Sequence, residues 1–310
     1  MEVINKTQVK DFVLLAFSDF QQLQTLLFFV VLLTYIICVF GNTAIIILVR
    51  VDLSLHTPMY FFISIFAFLE IMFVSTTVPK LLANLITANR IITFHGCFAQ
   101  LYIFNVLGVA ECYLLAVMVF DRHLAINKPL QYSYIMSHVF CTVLASIPWL
   151  IGFLVVLYPT VITAQLEFCS RNELNHFFCD WGPLQKLACS NPALSVLSTS
   201  STAVFDVVVP FILILGFYIH IIIMVTKIKS DAGKQKAFST CSSHIIVASL
   251  FYGTAIIVYV RPNGNQHERF LALMYTVVTP VINPFIYTLR NRDVKGALRK
   301  ISAQLVKPVK

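Results

Sequence analysis

Leu23 to Val49 reads LQTLLFFVVLLTYIICVFGNTAIIILV, 27 consecutive positions without an Asp, Glu, Lys or Arg. A hydrocarbon core about 30 Å thick is crossed by roughly 20 helical residues, so this stretch predicts a membrane-spanning helix. Working outward, Val139–Thr163, Ala237–Val260 and Phe270–Leu289 are equally free of charge. Pro58–Val78 is interrupted only by Glu70, Phe98–Phe120 carries Glu111, and Leu194–Thr226 carries Asp206. The expectation is an all-α, seven-transmembrane helix bundle forming one membrane domain over residues 1–310. Residues 1–22 would lie outside, 23–290 would form the bundle, and 291–310 would be a cytosolic amphipathic helix and tail.

Composition agrees: 12% of the 310 residues are charged and 58% hydrophobic, with 27 Phe, more apolar surface than a soluble core of this size can bury. The net charge of +8 does not indicate nucleic acid, because the basic residues stand in short runs between uncharged stretches, as in the loops of a membrane protein. With the N-terminus outside, 14 Lys and Arg fall on the inner side and 8 on the outer, which makes the C-terminus cytosolic. Asn5-Lys6-Thr7 is then an outer glycosylation sequon at Asn5. No signal peptide is expected, since Asp11 and Asp19 precede the first span and no short apolar run with a cleavage site does. Between Asn291 and Leu305, Val294, Leu298, Ile301 and Leu305 share one helical face, and Arg292, Lys295, Arg299 and Lys300 are polar, which predicts a short helix on inner-leaflet lipid. A frayed basic tail is the alternative.

Four cysteines, Cys38, Cys112, Cys141 and Cys241, fall in or near the membrane and are expected as packed thiols. Cys97, Cys169, Cys179 and Cys189 face the oxidising side, where four cysteines allow three connectivities. One bridge would tie the Ala164–Leu194 loop to the top of the third span. His176, Cys179 and Asp180 read alternatively as metal ligands, a reading that a disulfide at Cys179 would remove.

An acid in a bilayer is costly and faces protein or water. Glu70 and Glu111 lie mid-span, and Asn42 and Asn283 add amides, enough oxygen for a sodium ion or, alternatively, a shared proton that fixes helix packing. Asp206 lies in the outer half of the fifth span, one turn after Thr202, where it either meets a polar or cationic ligand or is a neutral acid bonded to a neighbouring helix. At the inner end of the third span Arg122 can pair with Asp121 and be released to another protein, or serve only as a snorkelling anchor.

Four segments resemble the vertebrate olfactory receptors, a branch of the rhodopsin-like G-protein-coupled receptors. They are Leu55-His56-Thr57-Pro58-Met59-Tyr60-Phe61-Phe62, Met118 to Ile126 (MVFDRHLAI), Lys236 to His244 (KAFSTCSSH) and Pro280 to Tyr287 (PVINPFIY). The likeness runs from about Phe12 to Leu298 and is nearer to the class II, tetrapod-type branch. It implies a receptor, not an enzyme, that binds small odorants and activates the olfactory stimulatory G protein, raising cyclic AMP, in the cilia of olfactory neurons. It implies the disulfides Cys97–Cys179 and Cys169–Cys189. It implies an odorant site formed by Phe104, Asn105, Gly108, Val109, Thr202, Asp206, Tyr252, Ala255, Ile256, Tyr259 and Thr276, with Tyr252 as trigger. Asp121, Arg122, Tyr218, His244, Asn283, Pro284 and Tyr287 would serve activation and coupling. No cofactor is required by this reading; the sodium ion stays the one candidate.

Two departures stand out: the family usually has Tyr where this chain has His123, and Cys where it has Asn127. Coupling is expected to persist, with basal activity and pH response altered by the histidine.

A transporter or channel competes for the buried acids, but seven unrepeated spans without paired discontinuous helices speak against it. No His-Glu-x-x-His, Gly-x-Ser-x-Gly or Walker loop points to an enzyme. An olfactory-type receptor for a metabolite outside the nose is the nearest alternative.

Overall fold

The computed structural model describes residues 9–87, 89–169, 172–227, 230, 234, 245–253, 267–290 and 294–300, with the side chains of 19–21, 267, 268, 284, 285 and 287–290 outside that set. Helix α1 spans Gln24–Val51, α2 Pro58–Ile86 and α3 Phe94–Asn127. A short α4 (Tyr132–Ile135) precedes α5 (His138–Ala164), and α6 (Trp181–Leu187) lies in the outer loop. The fifth span is composite: α7 (Ala193–Ala203), a π turn at Val204–Val208, and α8 (Val209–Thr226). Residues 245–253 form α9 within the predicted sixth span. The seventh is α10 (His267–Leu273), a second π turn at Met274–Val278, and α11 (Thr279–Arg290); residues 294–300 are α12.

Among the described residues five helices are long and apolar enough to cross a membrane: α1, α2, α3, α5 and the composite fifth. Helix α3 is the axis of the bundle, packed by α2, α5 and α8. Of its most apolar stretch 72% is buried, against 22% in α1 and 17% in the fifth span, so those two present Phe40, Leu197 and Ile212 outward, as lipid requires. At Gly152 the α5 backbone lies so close to α3 that a Cβ would stand 2.6 Å from the Val106 carbonyl oxygen. Small residues permit such contacts where no hydrophobic force drives helices together.

Both π turns precede a proline by the same step. Pro210 and Pro280 have no N–H for the carbonyl four residues back, which belongs to Asp206 and Thr276 respectively, and each ring crowds that carbonyl. Widening the turn relieves the conflict, and the two widened turns contain Asp206 and Thr276, both named in the odorant site that the resemblance implies.

The outer face carries a three-stranded sheet that the hydropathy reading did not anticipate. Strand β1 (Asp11–Leu14) lies between β2 (Ile91–Thr93), antiparallel with Phe12 opposite Ile92, and β3 (Glu173–Leu174), parallel with Val13 opposite Glu173. Alternation puts Phe12 and Leu14 into a cluster with Phe98, Leu101, Phe168 and Leu184. Ala16, in the left-handed region at φ 50°, follows, and its carbonyl accepts 2.6 Å from the buried Arg269 at the top of the seventh span. The N-terminal segment is thereby a strap over the bundle.

The buried side chains of α12 are Val294 and Ala297, packed into the main core, whereas Leu298 is 41% exposed. Lys300 Nζ also stands 3.6 Å from Asp52, in the turn between α1 and α2. Ile301 and Leu305 lie outside the described residues.

Candidate ligand site and cytosolic switch

In the outer half of the bundle α3 presents Phe104, whose ring stacks on Phe73 at 4.6 Å and meets Phe178 of the outer loop at 4.7 Å. Gly108, one turn on, leaves the room that Phe73 and the Tyr275 hydroxyl use; a Cβ there would meet both at 3.8 Å. On α9 the Tyr252 hydroxyl donates to the Cys112 carbonyl at 3.1 Å, and its ring packs on Phe211 and Phe251. Phe251 and Phe73 both contact Tyr275. Tyr252 therefore joins α9 to the middle of α3.

Asp206 is buried in the first π turn, and its Oδ1 has no hydrogen-bond partner among the described residues. It lies electrostatically close to Cys112 and Tyr113, the latter donating to the Phe205 carbonyl at 3.2 Å. Thr202 is buried beside it in the chain, and Thr276 donates to the Ala272 carbonyl at 2.8 Å within the opposite widened helix.

The contacts of two further predicted site residues are within and between helices. Asn105 donates back to the Leu101 carbonyl at 2.8 Å, and Val109 packs with Val106 and Val156 in the α3–α5 contact. Ala255, Ile256 and Tyr259 lie outside the described residues, as do His244 and Asn5. The sequence reading passed over Phe73, Phe178, Phe251 and Tyr275, because an aromatic residue in an apolar span carries no local mark of the side it faces.

The outer loop is pinned twice. Cys97 bonds Cys179, joining the loop to the top of α3, and Cys169 bonds Cys189 within it. The metal reading of His176, Cys179 and Asp180 is thereby overturned, since the Cys179 sulfur is committed and Asp180 caps α6 through the Trp181 amide at 2.8 Å. His176 instead stacks on Phe177 and meets Phe178 edge to face, and burial pushes its imidazole down to about 4, against an opposing backbone hydrogen bond at Phe178. Cys38, Cys112 and Cys141 are buried free thiols, as expected.

Deeper in the bundle the Asn283 amide donates to Glu70 Oε1, and Glu111 stands within electrostatic range of Glu70. Glu70 Oε2, Glu111 Oε1 and Asn283 Oδ1 are buried without a partner among the described residues. Asn42 does not join them through its amide nitrogen, which donates to the Cys38 carbonyl one turn back at 3.0 Å.

At the inner end of α3, Arg122 is paired with Asp121 through both Nε, at 2.8 Å, and Nη2. Tyr132 of α4 donates to the other Asp121 oxygen at 2.7 Å and accepts from Arg122 at 3.4 Å. Burial, then the Asp121 charge, holds the Tyr132 phenol above its ordinary value, so it stays a donor. Tyr218 is buried on α8, facing the core; Pro284 and Tyr287 fall in α11, their side chains outside the described set.

A family model described as olfactory receptor matches residues 31–305. The chain belongs to the olfactory receptor family. Olfactory receptor 2Y1 of Homo sapiens is 47% identical over 293 residues, 94% of each chain. Olfactory receptor 11L1 of Homo sapiens is 42% identical over 304 residues, 97% of this chain and 94% of that one. Olfactory receptor 1M1 of Mus musculus is 43% identical over 304 residues, 97% of both. This olfactory receptor is thus a multi-pass membrane protein with the seven-transmembrane bundle of that family, a family of receptors and not of enzymes.

Proposed function

We propose that this receptor takes small odorants into the outer half of its bundle and, so occupied, activates the olfactory stimulatory G protein, raising cyclic AMP. The observation that carries the ligand site is Asp206, a buried acid whose Oδ1 has no partner among the described residues and which lies near Cys112, the residue Tyr252 bonds, in a bundle half rich in aromatic side chains. Such side chains supply affinity through apolar burial, at about 25 cal/mol per Å2, while one polar group sets orientation. The excess of basic residues in the inner loops supports an outer N-terminus and a cytosolic C-terminus, which puts Arg122 on the side of the G protein. The working membrane would be that of olfactory cilia.

Activation would separate Arg122 from Asp121 and Tyr132 as the sixth span moves, opening a cleft for the G protein. The orphaned oxygens of Glu70, Glu111 and Asn283 fit a cation held by oxygen ligands, and sodium is the cation we assign to them. A melting temperature raised by sodium but not by choline, and lost in Glu111→Gln, supports that assignment; equal melting in both salts favours a shared proton.

Cyclic AMP measured in cells with the stimulatory G protein, against an odorant panel that includes amines, tests the receptor reading. A response that disappears in Arg122→Ala at equal surface expression supports it. A response that survives in Arg122→Ala overturns the coupling route.

A further inference from the structure

Between α3 and α8, one turn before the cytosolic end of α3, two imidazoles meet. His123 Nε2 and His220 Nδ1 are 2.9 Å apart, with ring centroids 4.7 Å apart and planes at 67°. Phe217 packs on the His123 ring at 5.3 Å and fixes its position. An open surface groove of about 380 Å3 runs along the pair, lined also by Asn127, Gly216, Phe217 and the exposed Ile212 and Leu213. Nothing lies within 4 Å of the point where a Gly216 Cβ would stand, so the approach is open.

We propose that His123 and His220 form a bis-imidazole site for a late first-row transition-metal ion, represented by Zn2+, that bridges α3 and α8. Neutral imidazole is the common ligand of zinc, nickel and copper. Two nitrogens bound to zinc at 2.0–2.1 Å in a tetrahedron stand about 3.3 Å apart, so the pair must open by about 0.4 Å, lose its mutual hydrogen bond and turn each ring so that both lone pairs converge on the ion. The two ligands come from different helices already packed together, so little chain ordering is left for the metal to impose. The groove is open beside the pair, so small ligands can reach the ion. Among the described residues no group of three or more His, Cys, Asp and Glu could hold a metal, so those positions go to water, with the Asn127 amide one turn along α3 as an outer partner.

The test is zinc binding by the full chain in nanodiscs, in competition with a chromophoric chelator, a readout independent of signalling. The intact receptor is expected to bind one equivalent that His220→Ala and His123→Tyr each weaken by more than about tenfold, a loss of ligand being at least as severe as loss of an outer partner. The double variant should lose no more than either single one, and His220→Cys should restore binding through a thiolate. Zinc should raise the melting temperature of the intact receptor and of His220→Cys alone. Equal zinc binding in the intact chain and both single variants, or loss of two equivalents in the double variant, would overturn the site and leave a plain histidine hydrogen bond. Either result leaves the odorant reading untouched.

Discussion

The Tyr132 hydroxyl of α4 donates 2.7 Å to the same Asp121 carboxylate that holds Arg122, so the second inner loop itself latches the arginine. A hydrogen bond to a charged group contributes about 1.5 kcal/mol or more when buried, and about 1 kcal/mol at this half-buried edge. Tyr132→Phe is therefore expected to raise ligand-independent cyclic AMP, by roughly fivefold if the latch energy goes wholly into the resting state. Basal signalling at matched surface expression checks it.

Asp206 makes a chemical distinction among ligands. Asp206→Asn keeps the shape of the first π turn and removes the charge. Responses to odorants carrying an amine should fall by tenfold or more, following a charge-assisted contact of about 1.5–3 kcal/mol, while those to purely apolar odorants stay near the starting level. Dose–response curves over a mixed panel report the difference; an unchanged amine response would refute the contact.

Gly152 tests the axis of the bundle. A methyl group 2.6 Å from the Val106 carbonyl oxygen has to push α5 from α3, which predicts a loss of about 1–3 kcal/mol for Gly152→Ala and more for Gly152→Val. Gly182, with nothing within 4 Å of a Cβ, is the control and should accept alanine with little change. Surface expression and detergent melting rank the three.

The two disulfides differ in reach, 82 residues between Cys97 and Cys179 and 20 between Cys169 and Cys189. Loop-closure entropy makes the longer one worth about 1 kcal/mol more. Cys97→Ser should therefore lower the melting temperature further than Cys169→Ser, under otherwise equal conditions.

His176 gives the outer loop an acid limit. Its unfolded imidazole takes a proton near 6.5 and its folded one near 4, so between those values the unfolded state binds more protons and stability falls as pH drops. The full effect is about 3 kcal/mol, reached near pH 4 and absent above pH 7. Melting of the intact receptor should decline over this window, and a His176→Phe variant should show a shallower decline.

The spans were legible because a charge-free run of the right length has one solution in lipid, a helix that satisfies its own backbone. The run from Leu23 to Val49 became α1, Gln24–Val51, within two residues at either end. The other described spans run longer than their hydropathy windows, since α2 and α3 continue past the bilayer into polar turns such as Thr87 and Lys128. The outer sheet escaped notice because two to four residues are too few for a periodicity, and their partners lie far along the chain. The candidate site was half legible. Asp206, Glu70 and Glu111 announced themselves as charges where charge is costly, whereas Phe73, Phe178 and Tyr275 gain meaning only from the residues they touch.

Composition and spacing alone gave a basic, multi-span membrane chain with an adjacent Asp121–Arg122 pair at one end of a span and four cysteines expected on the oxidising side, because each is a local solvation or covalent constraint. Folding in three dimensions chose the rest: which face each helix turns inward, that Tyr132 completes the latch, that Val109 packs on α5, and that His123 meets His220. Those outcomes depend on contacts between residues far apart in the chain, such as Glu70 and Asn283, 213 positions apart, and helical periodicity specifies the pitch of a face but not the neighbour that it finds.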